Sequence, residues 1–164
     1  MTSRKANQMA DEVVISREDP GQPQVRAMLE AGERYYATLY PRDRNYLLDA
    51  CSLRRPNVRF FVARIAGHES GTGAVVFHDD GYAEIKRMWV NADARGKGVG
   101  RRVLEKLEKT ALAHGFRVIR LETGTKQPEA LMLYRTAGYH EIEAFGDYTP
   151  DPLNVFMEKK LSPK

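Results

Sequence analysis

The sequence predicts an α+β fold in which one mixed, mostly antiparallel sheet carries helices on both faces. Three observations support this prediction. Short segments rich in β-branched and aromatic residues are bounded by turn residues. Other segments repeat apolar residues at helical spacing. The order of these segments along the chain is β-α-α-β-β-β-α-β-α-β-β.

The composition is typical of a single soluble domain. With 164 residues, 42% hydrophobic and 29% charged, the chain is long enough to bury a core. We expect one domain over residues 11–161, preceded by a polar, disordered leader at residues 1–10 without the apolar stretch of a signal peptide. Apolar runs fall short of the roughly 20 residues that span a membrane. The single cysteine, Cys51, excludes an internal disulfide and favours a reducing, cytoplasmic location.

The N-terminal half is predicted to contain, in order, a strand, a long helix, a short helix and a hairpin: residues 12–17, 23–40, 42–50, and 58–65 paired with 73–78. Pro23 suits the first turn of the long helix, and Pro41 interrupts it. Turn residues at 66–71 connect the two strands of the hairpin.

The C-terminal half is predicted to continue with strands at residues 83–90, 117–122, 139–144 and 155–160, and with helices at residues 101–114 and 129–137. Val99, Val103, Leu104, Leu107 and Ala111 recur at helical spacing and define the buried face of the first of these helices. Gly115 and Gly138 stand where glycine commonly ends a helix, and Pro128 stands in the first turn of the second.

Three glycines, Gly96, Gly98 and Gly100, connect the strand at 83–90 to the following helix. Glycine allows a sharp turn and a close approach of the backbone to a ligand. The N–H groups and the dipole of a helix N-terminus favour an anion. Nearby cations extend the preference to a multiply charged anion such as a pyrophosphate: Arg95, Lys97, Arg101 and Arg102.

Two familiar nucleotide motifs do not fit this loop. A Walker loop needs Gly-x-x-x-x-Gly-Lys followed by Ser or Thr, whereas Lys97 is followed by Gly98. The dinucleotide fingerprint needs G-x-G-x-x-G after the first strand of a βαβ unit, and this loop reads G-x-G-x-G about ninety residues into the chain.

The loop does fit the pattern Arg/Gln-x-x-Gly-x-Gly/Ala at residues 95–100. Met-Trp-Val at 88–90 precedes it, and Leu-Tyr-x-x-x-Gly-Tyr at 133–139 follows it. Across residues 58–145 the chain resembles the GNAT superfamily of acetyl-CoA-dependent N-acetyltransferases. The resemblance implies that the fourth and fifth strands splay apart and that the pantetheine of the cofactor lies between them. It assigns the following residues to the cofactor: Met88, Trp89, Val90, Arg95, Gly96, Lys97, Gly98, Val99, Gly100, Arg101 and Gln127.

The chemistry of acetyl transfer needs a base for the attacking amine, donors for the oxyanion and an acid for the departing thiolate. By resemblance, Glu84 on the central strand is the first candidate for the base, and Glu122 at the end of the next strand is the second. Glu84 could instead pair with Lys86, which points to the same face. Tyr134 is the candidate acid, because the family places this phenol beside the cofactor sulfur.

The acceptor is expected to be the primary amine of a small molecule, bound opposite the cofactor by Tyr36, Tyr40, Arg42, Lys86, Glu122 and Tyr148. Arg42, Arg44 and Lys86 indicate an acceptor that carries a carboxylate, unless they are ordinary surface charges. Two other functions stay open, a modifier of proteins or peptides and a sensor that binds acyl-CoA without turnover. A homodimer is also left open.

Nucleic acid, membrane and metal partners are not expected. The net charge of +4 is mild, and its cations are interspersed with acidic residues rather than gathered with aromatics on one face. The four histidines and Cys51 lack the spacing of metal ligands.

Overall fold

The computed structural model describes residues 12–44 and 46–163, so the predicted leader at residues 1–10 lies outside it. The strands are β1 Val13–Arg17, β2 Val58–Ile65, β3 His68–Phe77, β4 Ala83–Val90, β5 Val118–Gly124, β6 His140–Ile142 and β7 Asn154–Lys160. The helices are α1 Pro23–Leu39, α2 Val99–Ala113 and α3 Pro128–Thr136. Single 3₁₀ turns occur at Arg42–Arg44, Ser52–Arg54 and Ala92–Ala94.

The strands form one seven-stranded sheet in the order β1-β2-β3-β4-β5-β7-β6. Neighbouring strands pair antiparallel, except that β4 and β5 are parallel. The parallel pairing covers three positions and ends at Ile85 opposite Leu121, beyond which the two strands part. The predicted α+β class and the splayed central strands are therefore confirmed.

The helices cover both faces of the sheet, as alternate residues of β2 show. Phe61 and Ala63 belong to the core that contains α2 and Tyr134 of α3. Phe60 and Val62 belong to a second core with Val25, Met28 and Leu29 of α1. Since successive side chains of a strand point to opposite faces, α1 lies on one side of the sheet and α2 on the other.

Several predicted boundaries were wrong. Residues 42–50 do not form a helix: a 3₁₀ turn covers Arg42–Arg44, and residues 46–49 have no regular structure. Strand β3 begins at His68 rather than at residue 73, so the turn of the hairpin shrinks to Ala66 and Gly67, both with positive φ. Helix α2 begins at Val99, directly after Gly98.

Candidate active site

A cavity of about 540 Å³ lies where β4 and β5 part. Its walls come from β4 beyond the parting point, the glycine loop, the first turn of α2, the end of β5, the start of α3 and the C-terminal half of α1. A sheet that opens in this way exposes main-chain N–H and C=O groups toward the gap. The cavity therefore offers peptide groups as well as side chains to a ligand.

The glycine loop forms one end of the cavity. Gly96 and Gly98 have φ of 80° and 76°, a conformation that other residues adopt only with strain, and a Cβ added at either would meet open space. The first bond of α2 runs from the Arg102 N–H to the Gly98 carbonyl, at 3.1 Å. The N–H groups that precede it have no acceptor within the helix. This open space beside free N–H groups fits a pyrophosphate.

The cations of the loop divide into two groups. Arg95 and Arg101 line the cavity, and Arg101 lies 3.6 Å from Glu105, one helical turn away. Lys97 is exposed and does not line it. Arg102 points away, since its Nη2 donates to the Val13 carbonyl at 3.3 Å. The predicted cluster of four cations is therefore reduced to two at the cavity.

A bulge in β4 sets the direction of its peptide groups. Arg87 has φ of 56°, its carbonyl accepts a hydrogen bond from the Thr72 hydroxyl at 2.7 Å, and the register with β3 shifts at this point. Beyond the bulge, the Asn91 N–H donates to the Ser70 carbonyl at 2.9 Å. Val90 lies opposite Gly71, and these two residues therefore form a pair that exchanges no main-chain hydrogen bonds. The N–H of Val90 points away from β3 and toward the gap.

Met88 and Trp89 complete this wall of the cavity. The Met88 carbonyl accepts a hydrogen bond from the Tyr36 hydroxyl at 3.2 Å. Trp89 lies with its ring 5.8 Å from Tyr35 and 6.1 Å from Tyr36, between centroids. The Arg95 guanidinium lies 5.6 Å from the Trp89 ring. Helix α1 is therefore attached to β4 at the position predicted for the pantetheine.

Tyr134 lies in the wall contributed by α3, with only 5% of its surface exposed. Burial raises the pKa of its phenol, so the hydroxyl is protonated at neutral pH. No hydrogen bond joins this hydroxyl to another residue that the structure describes. The phenol is therefore protonated and, with no described hydrogen-bond partner, is available as a donor to a ligand in the cavity.

Glu122 is the carboxylate that β5 presents to the cavity. Burial raises the pKa of this carboxyl, while a hydrogen bond from Asn154 and the charge of Lys86 act in the opposite direction. The Asn154 Nδ2 donates to the Glu122 Oε1 at 2.5 Å. Glu122 therefore combines access to the cavity with a raised pKa, which are the two properties that a general base needs.

Glu84, the first candidate for the base, does not line the cavity. Its side chain is 5% exposed, with Oε1 2.9 Å from the His78 Nε2. Its Oε2 accepts a hydrogen bond from the Tyr148 hydroxyl at 2.5 Å and lies 3.4 Å from the Lys86 Nζ. Both carboxylate oxygens are thus engaged, and the pairing with Lys86, which the sequence left open as the alternative, is present in the structure.

Of the remaining residues predicted to bind the acceptor, some line the cavity and others do not. Tyr36, Tyr40 and Lys86 line the cavity, whereas Tyr148 and the exposed Arg42 do not. Lys86 is committed, since its Nζ donates to the Tyr46 carbonyl at 3.0 Å and to the Tyr148 hydroxyl. The side chain of Arg44 lies outside the described part of the structure.

Tyr40 fastens the end of α1 to the loop that follows β5. Its hydroxyl donates to the Gln127 Oε1 at 3.1 Å and accepts from the Lys126 N–H at 3.2 Å. The ring fills the space above Gly124, where an added Cβ would lie 1.8 Å from the hydroxyl oxygen. Gln127, predicted to contact the cofactor, lines the cavity and takes part in this attachment.

Some cavity residues were missed by sequence reasoning: Tyr35, Tyr46, Leu47, Thr123, Glu129, Ala130, Leu133 and Asn154. Leu133 could have been found from its place in the motif with Tyr134. Nothing in the sequence indicated Asn154, because its relation to Glu122 depends on the pairing of β5 with β7.

Over residues 12–44 and 46–163, no cluster of three or more His, Cys, Asp or Glu side chains could hold a metal ion. None of the helices within these same ranges is long and apolar enough to cross a membrane.

The fold and cavity define an acyl-transferring enzyme, and comparison with known proteins agrees. The model of the Acetyltransferase (GNAT) family matches residues 25–139. A relative from Azospirillum brasilense named IAA acetyltransferase is 45% identical over 150 residues, which cover 91% of this chain and 98% of that protein. The protein therefore belongs to the GNAT family and is an acetyltransferase, as the resemblance predicted.

Solved structures show the same fold. The crystal structure of a proposed acyl-CoA N-acyltransferase from Klebsiella pneumoniae has a TM-score of 0.81 and 32% identity, and the match covers 93% of this chain and 99% of that one. An aminoglycoside 6′-N-acetyltransferase in complex with coenzyme A has a TM-score of 0.70 at 14% identity, covering 92% and 98%. Membership of the family indicates that an acyl-CoA is used.

Proposed function

We propose that the protein transfers the acetyl group of acetyl-CoA to the primary amine of a small molecule, with both substrates bound at once. One observation carries the proposal. A single cavity joins the glycine loop to Glu122 and Tyr134, so a site for a diphosphate and two groups capable of proton transfer share one enclosure. Holding both reactants in one enclosure supplies much of the rate by proximity.

The cofactor end of the cavity holds acetyl-CoA through main-chain groups. Peptide N–H groups at residues 96–101 bind the diphosphate, and the gap-facing N–H of Val90 is placed for the thioester oxygen. The Met88 carbonyl accepts a hydrogen bond from the Tyr36 hydroxyl at 3.2 Å, and its second lone pair can accept one from an amide N–H of pantetheine. Acetyl-CoA supplies the activated acyl group as a thioester.

Glu122 is our proposed base. It lines the cavity with a raised pKa, whereas Glu84 lies outside the cavity with both oxygens engaged. Glu122 accepts a proton from the acceptor amine as the nitrogen bonds to the acyl carbon and the carbon–sulfur bond breaks. The N–H of Val90 stabilises the oxyanion, and the Tyr134 hydroxyl protonates the departing sulfur.

The charges of the acceptor end favour an amine with an aromatic or apolar body. Rings and one aliphatic side chain line this end: Tyr35, Tyr36, Tyr40, Tyr46, Leu47 and Trp89. Lys86 is paired with Glu84, and Arg42 is exposed elsewhere. Glu122 forms no salt bridge with a described residue, so this end presents a carboxylate that favours an amine and gives no support to a carboxylate-bearing acceptor.

A thiol-release assay with acetyl-CoA over small amines, amino acids and peptides tests the proposal. We expect release with small amines, strongest for those with aromatic or apolar bodies. Glu122→Gln should lower kcat by about 100-fold or more with CoA affinity unchanged, which is the size of a general-base contribution. Tyr134→Phe should lower kcat with the same unchanged affinity.

Glu84→Gln is the matched comparison, since it alters the other acidic candidate in the same way. If Glu84→Gln stops turnover while Glu122→Gln does not, the base is Glu84 and our assignment is wrong. Release with peptides alone would identify a protein modifier. Binding of acetyl-CoA without release for any acceptor would identify a sensor.

A further inference from the structure

Asn154 lies beside the proposed base because of the register between β5 and β7. Gly124 pairs with Asn154 and Glu122 pairs with Phe156, so Glu122 and Asn154 are diagonal neighbours on one face of the sheet. Gly124 has no side chain to separate them. Asn154 lines the cavity, and its Nδ2 donates to the Glu122 Oε1 at 2.5 Å.

The other end of the same amide group is unsatisfied. The Oδ1 of Asn154 is buried and has no hydrogen-bond partner among the residues that the structure describes. A buried acceptor without a donor destabilises the folded protein and therefore needs an explanation. Because the Asn154 side chain lines the cavity, a small shift of its amide on ligand binding would bring this oxygen to an N–H group of the ligand, and the acceptor amine carries such groups.

We propose that Asn154 is the positioning residue of the reaction, holding the Glu122 carboxylate with its amide N–H and receiving an N–H of the acceptor amine with its amide oxygen. The proposal rests on the proposed function, in which Glu122 is the base. The amide would then fix base and nucleophile relative to each other before proton transfer. A fixed mutual geometry of this kind is a recognised source of rate.

Other polar groups face Glu122 from every neighbouring element, and none of them replaces this contact. From β4 come Lys86 and Glu84, which pair with each other. Four phenols also interact with Glu122: Tyr36 on α1, Tyr40 directly after α1, Tyr134 on α3 and Tyr148 between β6 and β7. Burial raises the pKa of each of these phenols, so they stay neutral, and the hydrogen bond of Asn154 remains the direct contact to the carboxylate.

The test compares Asn154→Leu, which has a similar volume without hydrogen bonding, with the parent protein. We expect the pKa of Glu122 to rise, because a hydrogen bond to a carboxylate stabilises its charged form. The acidic limb of the kcat/KM profile should move to higher pH. At a pH below that limb the loss should be about tenfold, the usual value of a hydrogen bond to a charged group.

Asn57→Leu is the control, since the exposed Asn57 also donates one Nδ2 hydrogen bond, to the Phe77 carbonyl at 3.2 Å, outside the cavity. It should leave the limb in place. Titration of ¹³C-labelled glutamate carboxyls measures the pKa of Glu122 without substrate, with the signal assigned by its loss in Glu122→Gln. Asn154→Ala serves as the second variant if Asn154→Leu does not fold.

An unmoved Glu122 titration and an unmoved acidic limb would overturn the proposal, and so would a loss of activity that is equal at every pH. The role of Glu122 as base and the role of Asn154 in positioning it can be refuted separately. If Glu122→Gln retains full turnover, Glu122 is not the base and the role of Asn154 in catalysis falls with it. If Glu122→Gln stops turnover while Asn154→Leu leaves the limb unmoved, only the positioning role is wrong.

Discussion

Replacing Gly98 by alanine tests whether the loop binds a diphosphate through its backbone. Gly98 has φ of 76°, and a Cβ added there would meet no protein atom within 4 Å. In the free protein, therefore, the cost of the substitution is the backbone strain alone, about 1–2 kcal/mol. In the complex, the new methyl group would stand in the space that we assign to the diphosphate.

The expected loss of affinity follows from the contacts that the methyl group would prevent. If the diphosphate moves away from two N–H groups at the start of α2, two hydrogen bonds to a charged group are lost. At about 1.5 kcal/mol each, this amounts to about 3 kcal/mol, or roughly a 100-fold increase in Kd.

Calorimetry should compare CoA with pantetheine, which lacks the diphosphate. Gly98→Ala should weaken CoA binding and leave pantetheine binding close to that of the parent. Gly81→Ala is the matched control, because Gly81 has φ of 92° and equally open surroundings in the turn between β3 and β4. It should show similar destabilisation with unchanged CoA affinity.

Two results would refute this reasoning. Parent-like CoA affinity in Gly98→Ala would place the diphosphate elsewhere. Equal losses for CoA and pantetheine would mean that the substitution distorts the cavity rather than the diphosphate site.

Two further predictions concern stability. Gly124→Ala should lower the free energy of unfolding by about 1–3 kcal/mol, because its Cβ would lie 1.8 Å from the Tyr40 hydroxyl oxygen. Urea denaturation should show that this cost disappears in a Tyr40→Ala background. An equal cost in both backgrounds would contradict the clash. Arg64, whose Nη2 lies 2.8 Å from the Glu18 Oε1, lowers the pKa of that carboxyl to about 2. A carboxyl with a depressed folded-state pKa stabilises the protein above its unfolded pKa, so the destabilisation caused by Arg64→Leu at pH 7 should shrink between about pH 4.5 and pH 2; a constant difference over that range would refute the role of the pair.

The parts of the fold that sequence reasoning predicted depend on local rules. Alternate glycines before a helical repeat located the loop, and the structure shows why, since Gly96 and Gly98 adopt a left-handed conformation. The helical spacing of Val103 and Leu107 likewise identified the buried face of α2. Such patterns can be read over a dozen residues.

The parts that escaped prediction depend on contacts between distant segments. The family's pattern made Glu84 the first candidate for the base, but no local pattern indicated that the Tyr148 hydroxyl, 64 residues further on, donates to its carboxylate. Asn154 lies 32 residues from Glu122, and their contact depends on which strands pair. No local pattern carries this information.

The wrong prediction of a helix at residues 42–50 has a different cause. Its sequence is compatible with a helix, yet only Arg42–Arg44 makes a short turn, while Tyr46 and Leu47 contribute to the cavity wall. Tertiary contacts outweighed a weak local preference in this segment.

Because β4 and β5 part, the sheet consists of two portions, β1 to β4 and β5 to β7, which are joined over a short stretch. A molecule with amide groups of its own, bound in the opening, would connect the two portions of the sheet. Occupancy should therefore slow hydrogen exchange on both margins of the opening together. The protein would stiffen at the moment when its two reactants have to be held still.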